Sequence, residues 1–224
     1  MKKLFLINKK VQLVLGIGLT LFLLLSIIFW FKLIAISLWY LLLLPFVFSL
    51  VQFCLTPLLR GLGVFHYYSH FLMANTSDTS LLDLHTGSTF DFVLHFSIND
   101  RGSRSRNYII TEILNGLLKI IHDIENGTIH ANQKIVAAPY FISQRTIYKF
   151  GFKEKEPSFL DRIFIVGSFF DIMLMYAFTQ NKITSPEVWK VKTVEINAWQ
   201  LAAKKDYLLK IKDQFSTHSV KKLS

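Results

Sequence analysis

The sequence predicts a mixed-sheet α/β (α+β) domain attached to an N-terminal hairpin of two transmembrane helices. Three observations predict it. From Val11 to Leu59 the only charged residue is Lys32, and every acidic residue lies beyond Arg60. The stretch from Phe90 to Phe152 reads as strand, basic glycine-containing loop, long helix, strand and short helix. A composition of 52% hydrophobic residues with a mean hydropathy of +0.39 exceeds that of an ordinary soluble domain.

Residues 1–60 are expected to be the membrane anchor. Four lysines precede the uncharged run from Val11 to Phe31, and a helix of that length is roughly 31 Å long, matching the hydrocarbon core. The run is too long for a signal-peptide core, and no small-residue cleavage site follows it. A second apolar stretch, Leu33 to Leu59, contains Pro45 and Pro57 and ends at Arg60. Trp30, Lys32, Trp39 and Tyr40 cluster where the far interface would lie. With lysines before the first span and Arg60 after the second, the positive-inside rule predicts both termini in the cytoplasm. If the second stretch were re-entrant and kinked at Pro45, the domain would sit on the other side. The one cysteine, Cys54, excludes an internal disulfide.

Residues 61–80 form a juxtamembrane segment, read as an interfacial belt of His, Tyr and Phe. His66 and His70 stand four apart, as metal ligands on a helix would, but no further ligand cluster accompanies them and no metal is expected. The matches Asn75-Thr76-Ser77 and Asn126-Gly127-Thr128 fit the glycosylation sequon, which has no meaning in a cytoplasmic domain. The segment ending at Arg60 carries six of the ten net positive charges, which leaves +4 for the rest. That excess suits the lipid bilayer and its anionic headgroups, and no nucleic-acid partner is expected.

The cytoplasmic α/β domain spans residues 81–216, with 217–224 as a disordered tail. LLDLHTGSTFDFVLHFSI reads as a hairpin turning at Gly87-Ser88. Phe90, Phe92, Leu94, Phe96 and Ile98 alternate onto one face, with Asp91, Val93 and His95 on the other. Asp83 and His85 share a face by the same period. His85 and Asp91 are candidate catalytic residues, since a carboxylate that orients a histidine makes a general base near neutral pH. As turn and strand polar residues they need no such role.

Next comes the loop NDRGSRSR, with Asn99, Arg101, Gly102, Ser103, Arg104, Ser105 and Arg106 as candidate binding residues. Backbone N–H groups at a helix start, the positive end of the helix dipole and nearby arginines suit a phosphate. The same arginines could instead face lipid headgroups. Ile109, Ile113, Leu117, Ile120 and Ile124 keep helical spacing, with Ser105 or Asn107 as the cap and Asn126-Gly127 as the stop. In KIVAAPYF, Pro139 predicts a splayed or bulged strand. Ser143 opens a short helix that Gly151 closes.

This order resembles the GNAT-type N-acetyltransferase superfamily over residues 90–156. In that family a strand leads to a pyrophosphate-binding loop of pattern Q/R-x-x-G-x-G/A, a long helix, a splayed strand and a short helix ending in Gly-Phe. Here the loop aligns as Asn99 to Arg104 and the short helix ends in TIYKFGF. Asn99 replaces the Gln or Arg, and Arg104 replaces the second small residue. The family's tyrosine, four places before the Gly-Phe glycine, is Ile147, with Tyr148 one place late. The resemblance implies a GNAT-like mixed sheet, acyl-CoA or acetyl-CoA as cosubstrate held by Gly102, Ser103 and the arginines, and Tyr148 as the candidate catalytic tyrosine. The expected function is a membrane-anchored acyltransferase acting near the bilayer. The alternative is a non-catalytic, membrane-tethered interaction or sensing module.

Beyond Pro157, the apolar run Ile163 to Phe178 is short for a third span. Gly167-Ser168 could turn two buried strands, or a strand could lead to a buried helix. Asp171 within the run must find a partner or face water. SPEVWKVKTVEI reads as an edge strand or as a helix begun by Ser185-Pro186. Asn197 is expected to cap a final amphipathic helix.

Overall fold

The computed structural model describes residues 9–75, 80–96, 102–139, 144–180 and 182–220. Two helices long and apolar enough to cross a membrane come first, α1 (Lys9–Ile36) and α2 (Leu44–Leu62), with a 3-10 helix (Leu38–Leu43) between them. The chain reverses without Gly, Pro or Asn. Ser37 leaves helical geometry, and its hydroxyl accepts from the Trp39 N–H. The Trp30 indole N–H donates to the Tyr40 carbonyl at 2.9 Å and ties the reversal. Pro45 falls in the first turn of α2, where its missing N–H costs nothing.

The domain is built on a six-stranded mixed sheet. Its strands are β1 (Phe65–Ser69), β2 (Leu72–Asn75), β3 (Leu81–Thr86), β4 (Lys134–Ala137), β5 (Lys153–Lys155) and β6 (Thr193–Asn197), in the order β1-β2-β3-β4-β6-β5. Only β3 and β4 are parallel, and the other neighbours run antiparallel. The parallel pair is joined by α3 (Thr89–His95) and α4 (Ser103–Glu125). Ile109, Ile113, Leu117 and Ile120 of α4 are buried as their spacing predicts. They close a core with Phe71, Phe92, Ile135 and Leu201. Further helices are α5 (Gln144–Lys149), α6 (Phe159–Gly167), α7 (Phe169–Gln180), α8 (Ala198–Ala202) and α9 (Lys205–Val220).

Several elements differ from expectation. Of the expected strand Phe90 to Ile98, residues Phe90 to Phe96 are not a strand, and Ser97 and Ile98 lie outside the described residues. Residues Thr89–His95 form α3, because Ser88 and Asp91 make a capping box that starts a helix straight after β3. Gly87-Ser88 therefore turns a strand into a helix rather than a hairpin. The juxtamembrane belt is a strand pair, β1 and β2, and β1 forms one edge of the sheet. Ile163 to Phe178 lies in two helices, with Ser158 and Asp161 capping the first and Ser168 breaking them. SPEVWKVKTVEI contains a 3-10 turn (Val188–Lys190) and then β6, which is paired on both sides, so β5 is the other edge. Asn197 caps only α8, and a turn at Ala203-Lys204 separates it from α9.

Gly16 marks a close approach of α1 and α2, for a Cβ there would lie 2.6 Å from the Leu58 Cα. At Gly18 a Cβ would meet nothing within 4 Å. Gly16→Ala is therefore expected to cost about 1–3 kcal/mol through overpacking, whereas Gly18→Ala should be neutral or mildly stabilising through helix propensity. Thermal unfolding of the two variants in detergent distinguishes them, and equal melting temperatures would contradict the close approach.

Candidate functional site

The β3–α4–β4 unit decides where a site can form. Because β3 and β4 are parallel, α4 must start at the end of the sheet where both strands finish. Crevices outside the carboxyl ends of parallel strands are the usual ligand positions in such sheets. Pairing of β3 with β4 runs from Leu81↔Lys134 to Leu84↔Ala137 and stops there, just before Pro139, which has no N–H to donate. An apolar cavity of about 40 Å³ opens at that point, lined by Leu84, Thr86, Ala138, Pro139, Ile113 and Phe150 among others. Pro139, Ile147 and Val194 are also walls of a larger cavity of about 830 Å³, which extends to Tyr148, Glu154 and Lys192. Its size is that of a small-molecule site.

Tyr148 stands at that larger cavity on α5. Its hydroxyl donates to Glu154 Oε1, and the Lys192 ammonium donates to Glu154 Oε2. Glu154 accepts the phenolic proton's hydrogen bond, which raises the Tyr148 pKa and keeps the hydroxyl protonated. Hydrogen bonds from Lys192 and Tyr148 hold the Glu154 carboxyl below its usual range. The arrangement is a proton donor, an acceptor and a cation on one wall.

At the start of α4, Gly102 is the N-cap with φ 76°, a left-handed value that favours glycine. No acidic residue occupies the first turn. Ser103, Arg104 and Arg106 are exposed, while Ser105, inside the helix rather than capping it, is fully buried with its Oγ unpartnered. The N-terminal end of a helix dipole and two arginines favour an anion here. Asn99 and Arg101 lie outside the described residues.

The other predicted residues belong to separate networks. His85 Nε2 is 2.9 Å from Asp83 Oδ2, as the shared face predicts, but the pair sits on the exposed side of the sheet and lines neither cavity. Asp91 has no solvent exposure. Its carboxylate accepts from the Ser88 backbone N–H at 2.9 Å and from the Tyr67 hydroxyl at 3.2 Å, and Arg60 Nη1 lies 3.4 Å away. The Arg60 guanidinium also stacks 4.1 Å from the Tyr67 ring centroid. Burial pushes the Asp91 pKa up to about 6 against the opposing pull of Arg60 and the Ser88 hydrogen bond.

A cluster that the sequence reading missed joins His70, His95, Tyr108 and Glu112. His70 Nδ1 is 3.1 Å from the Tyr108 hydroxyl, its backbone N–H donates to Glu112 at 3.1 Å, and its ring lies 4.3 Å from that of His95. The available signal was Tyr108 and Glu112, four apart on one face of α4. Separately, no family model, curated protein or solved structure matches the chain.

The raised Asp91 pKa sets a pH dependence. Between pH 4 and 6 the folded chain holds a proton that the unfolded chain has released, so the Asp91 contribution falls as pH rises through that window. Its size is on the order of 2–3 kcal/mol. Asp91→Asn is expected to flatten this part of the stability profile, measured by chemical denaturation from pH 4 to 7. Arg60→Met at pH 7 should cost about 3 kcal/mol or more, because it leaves a buried charge alone.

Proposed function

We propose that the protein is an integral membrane protein with two spans and both termini in the cytoplasm, carrying an acyltransferase-like domain. That domain binds acyl-CoA or acetyl-CoA and acts on a substrate near the bilayer. The observation that carries this reading is the small cavity at the ends of β3 and β4, which shares Pro139, Ile147 and Val194 with the cavity holding Tyr148 and lies at the end of the sheet where α4 begins. The GNAT-type resemblance takes Phe90 to Ile98 as its first strand, whereas Thr89–His95 is helix α3, so this reading needs β3 in that place with α3 inserted before the basic loop.

In this reading Gly102, Ser103, Arg104 and Arg106 hold the pyrophosphate, together with Asn99 and Arg101. An acceptor amine or hydroxyl attacks the thioester carbonyl, and the carbon–sulfur bond breaks. The leaving sulfur takes the Tyr148 proton, and the acceptor's proton returns to Tyr148 through Glu154. In this reading Asp91 and His85 take structural roles, since neither lines the two cavities described above.

The alternative is a non-catalytic, membrane-tethered module. It is favoured by one observation, that the Tyr148 hydroxyl already donates its hydrogen bond to Glu154, which Lys192 also engages.

Calorimetric titration of the full chain in detergent with acetyl-CoA and longer acyl-CoAs tests the reading. Saturable binding, weakened about tenfold or more by Arg104→Glu with Arg106→Glu, is expected. Tyr148→Phe should leave affinity intact and slow transfer by roughly a hundredfold or more. A folded protein that binds none of these ligands would leave the tethered module.

A further inference from the structure

The apolar run Ile163 to Phe178 forms a helical hairpin whose corner sits far along α2 from the domain. Phe164 packs on Phe48 with ring centroids 6.0 Å apart, and Phe170 packs edge-on against Phe46 at 6.4 Å. A Cβ on Gly167 would come within 2.8 Å of the Phe48 ring, so the corner lies directly against that side chain. Phe48 precedes Arg60 by a helical distance of ~18 Å, and α6 itself is ~13 Å long. Both lengths are about half of a hydrocarbon core.

Polar atoms at the corner face the protein. Ser168 Oγ donates to the Phe164 carbonyl at 2.8 Å and accepts from Gln52 Nε2 at 2.9 Å. Asp171 is buried and accepts a hydrogen bond from the Thr89 hydroxyl. Outward-facing positions are apolar, with Ile163 46%, Phe164 57%, Val166 53% and Leu174 42% exposed. The charged pair of α6, Asp161 and Arg162, lies at the base, where Asp161 caps the helix and Arg162 meets Glu156.

We propose that α6 and α7 form a re-entrant wedge submerged in the leaflet beside the domain, with lipid acyl chains covering its outer face. The inference rests on α1 and α2 spanning the bilayer. Lipid is the occupant because the wedge continues the exposed apolar surface of α2 at Phe46, 58% exposed, without an intervening charge. A partner protein would meet a face with no polar rim. As α7 also supplies Ile172 and Tyr176 to the wall of the large cavity, the wedge sets that cavity against the membrane.

The test uses the full chain with Cys54→Ala, reconstituted in phosphatidylcholine–phosphatidylglycerol nanodiscs. Single nitroxide labels are placed at Val166, at Leu174, at Leu25 on α1 and at Trp199 on α8 of the domain, the last two 68% and 52% exposed. Collision rates with oxygen and with a water-soluble nickel chelate are then measured. The expected result is a several-fold excess of oxygen over nickel collisions at Val166 and Leu174, matching Leu25, with the reverse at Trp199. Nickel access at Val166 and Leu174 equal to that at Trp199 would overturn the wedge while leaving the anchor. Shielding from both reagents would also overturn it, by placing a protein on that face. Nickel access at Leu25 would remove the anchor and the wedge together.

Discussion

A carboxylate with no contact with solvent, Asp91, is met by an arginine from the last turns of the second apolar helix, and the rest of the structure is arranged around that meeting. Each partner offsets the cost of burial through few contacts. Asp91 has Ser88, Tyr67 and Arg60, while Arg60 has Asp91 and the face of Tyr67. Breaking the pair strands a charge, so it fixes geometry even where its net stabilisation is small. It joins three elements: the end of α2, the edge strand β1 and the start of α3. Once α2 is tied there, its upper half is held beside α6 and α7, and β1 is fixed as the edge of the sheet.

The same meeting explains why α3 is a helix. Read by alternation, Phe90, Phe92, Leu94 and Phe96 are a convincing strand. In the structure Phe90 and Phe92 are buried together with Thr89 and Asp91, and Val93 is exposed, which is no strand pattern. The signal that should have decided it was Ser88 three residues before Asp91, a helix-start pair. Ser158 with Asp161 and Asn197 with Gln200 are further examples, and only the last was read as a cap. Periodicity spread over many turns, as in α4, was legible because it repeats. In a seven-residue helix it cannot repeat, and a few aromatic residues imitate the wrong period.

Other parts were illegible for a different reason. FHYYS and LMAN are aromatic and apolar enough for a membrane interface or for strands, and only the pairing of β1 with β2 and of β2 with β3 makes them strands. Among the candidate site residues, local reasoning placed Asp83 against His85 correctly, since two residues on one strand face must meet. It could not place Asp91, whose partners lie 31 and 24 residues away. Nor could it find His70 beside Tyr108, 38 residues away.

The one-residue displacement of the tyrosine on α5 has a physical consequence. Successive residues on a helix differ by about 100° around its axis. Ile147, where the GNAT-type pattern has its tyrosine, is buried at 5% exposure and walls both cavities. Ile147 shares the smaller cavity with Leu84, Phe150 and Phe152, an apolar surrounding that suits its aliphatic side chain. Tyr148 is turned out of that apolar pocket, is 48% exposed, and finds Glu154 and Lys192 on the wall of the larger cavity. Under the acyltransferase reading the proton donor has therefore moved from the throat of the crevice to its mouth.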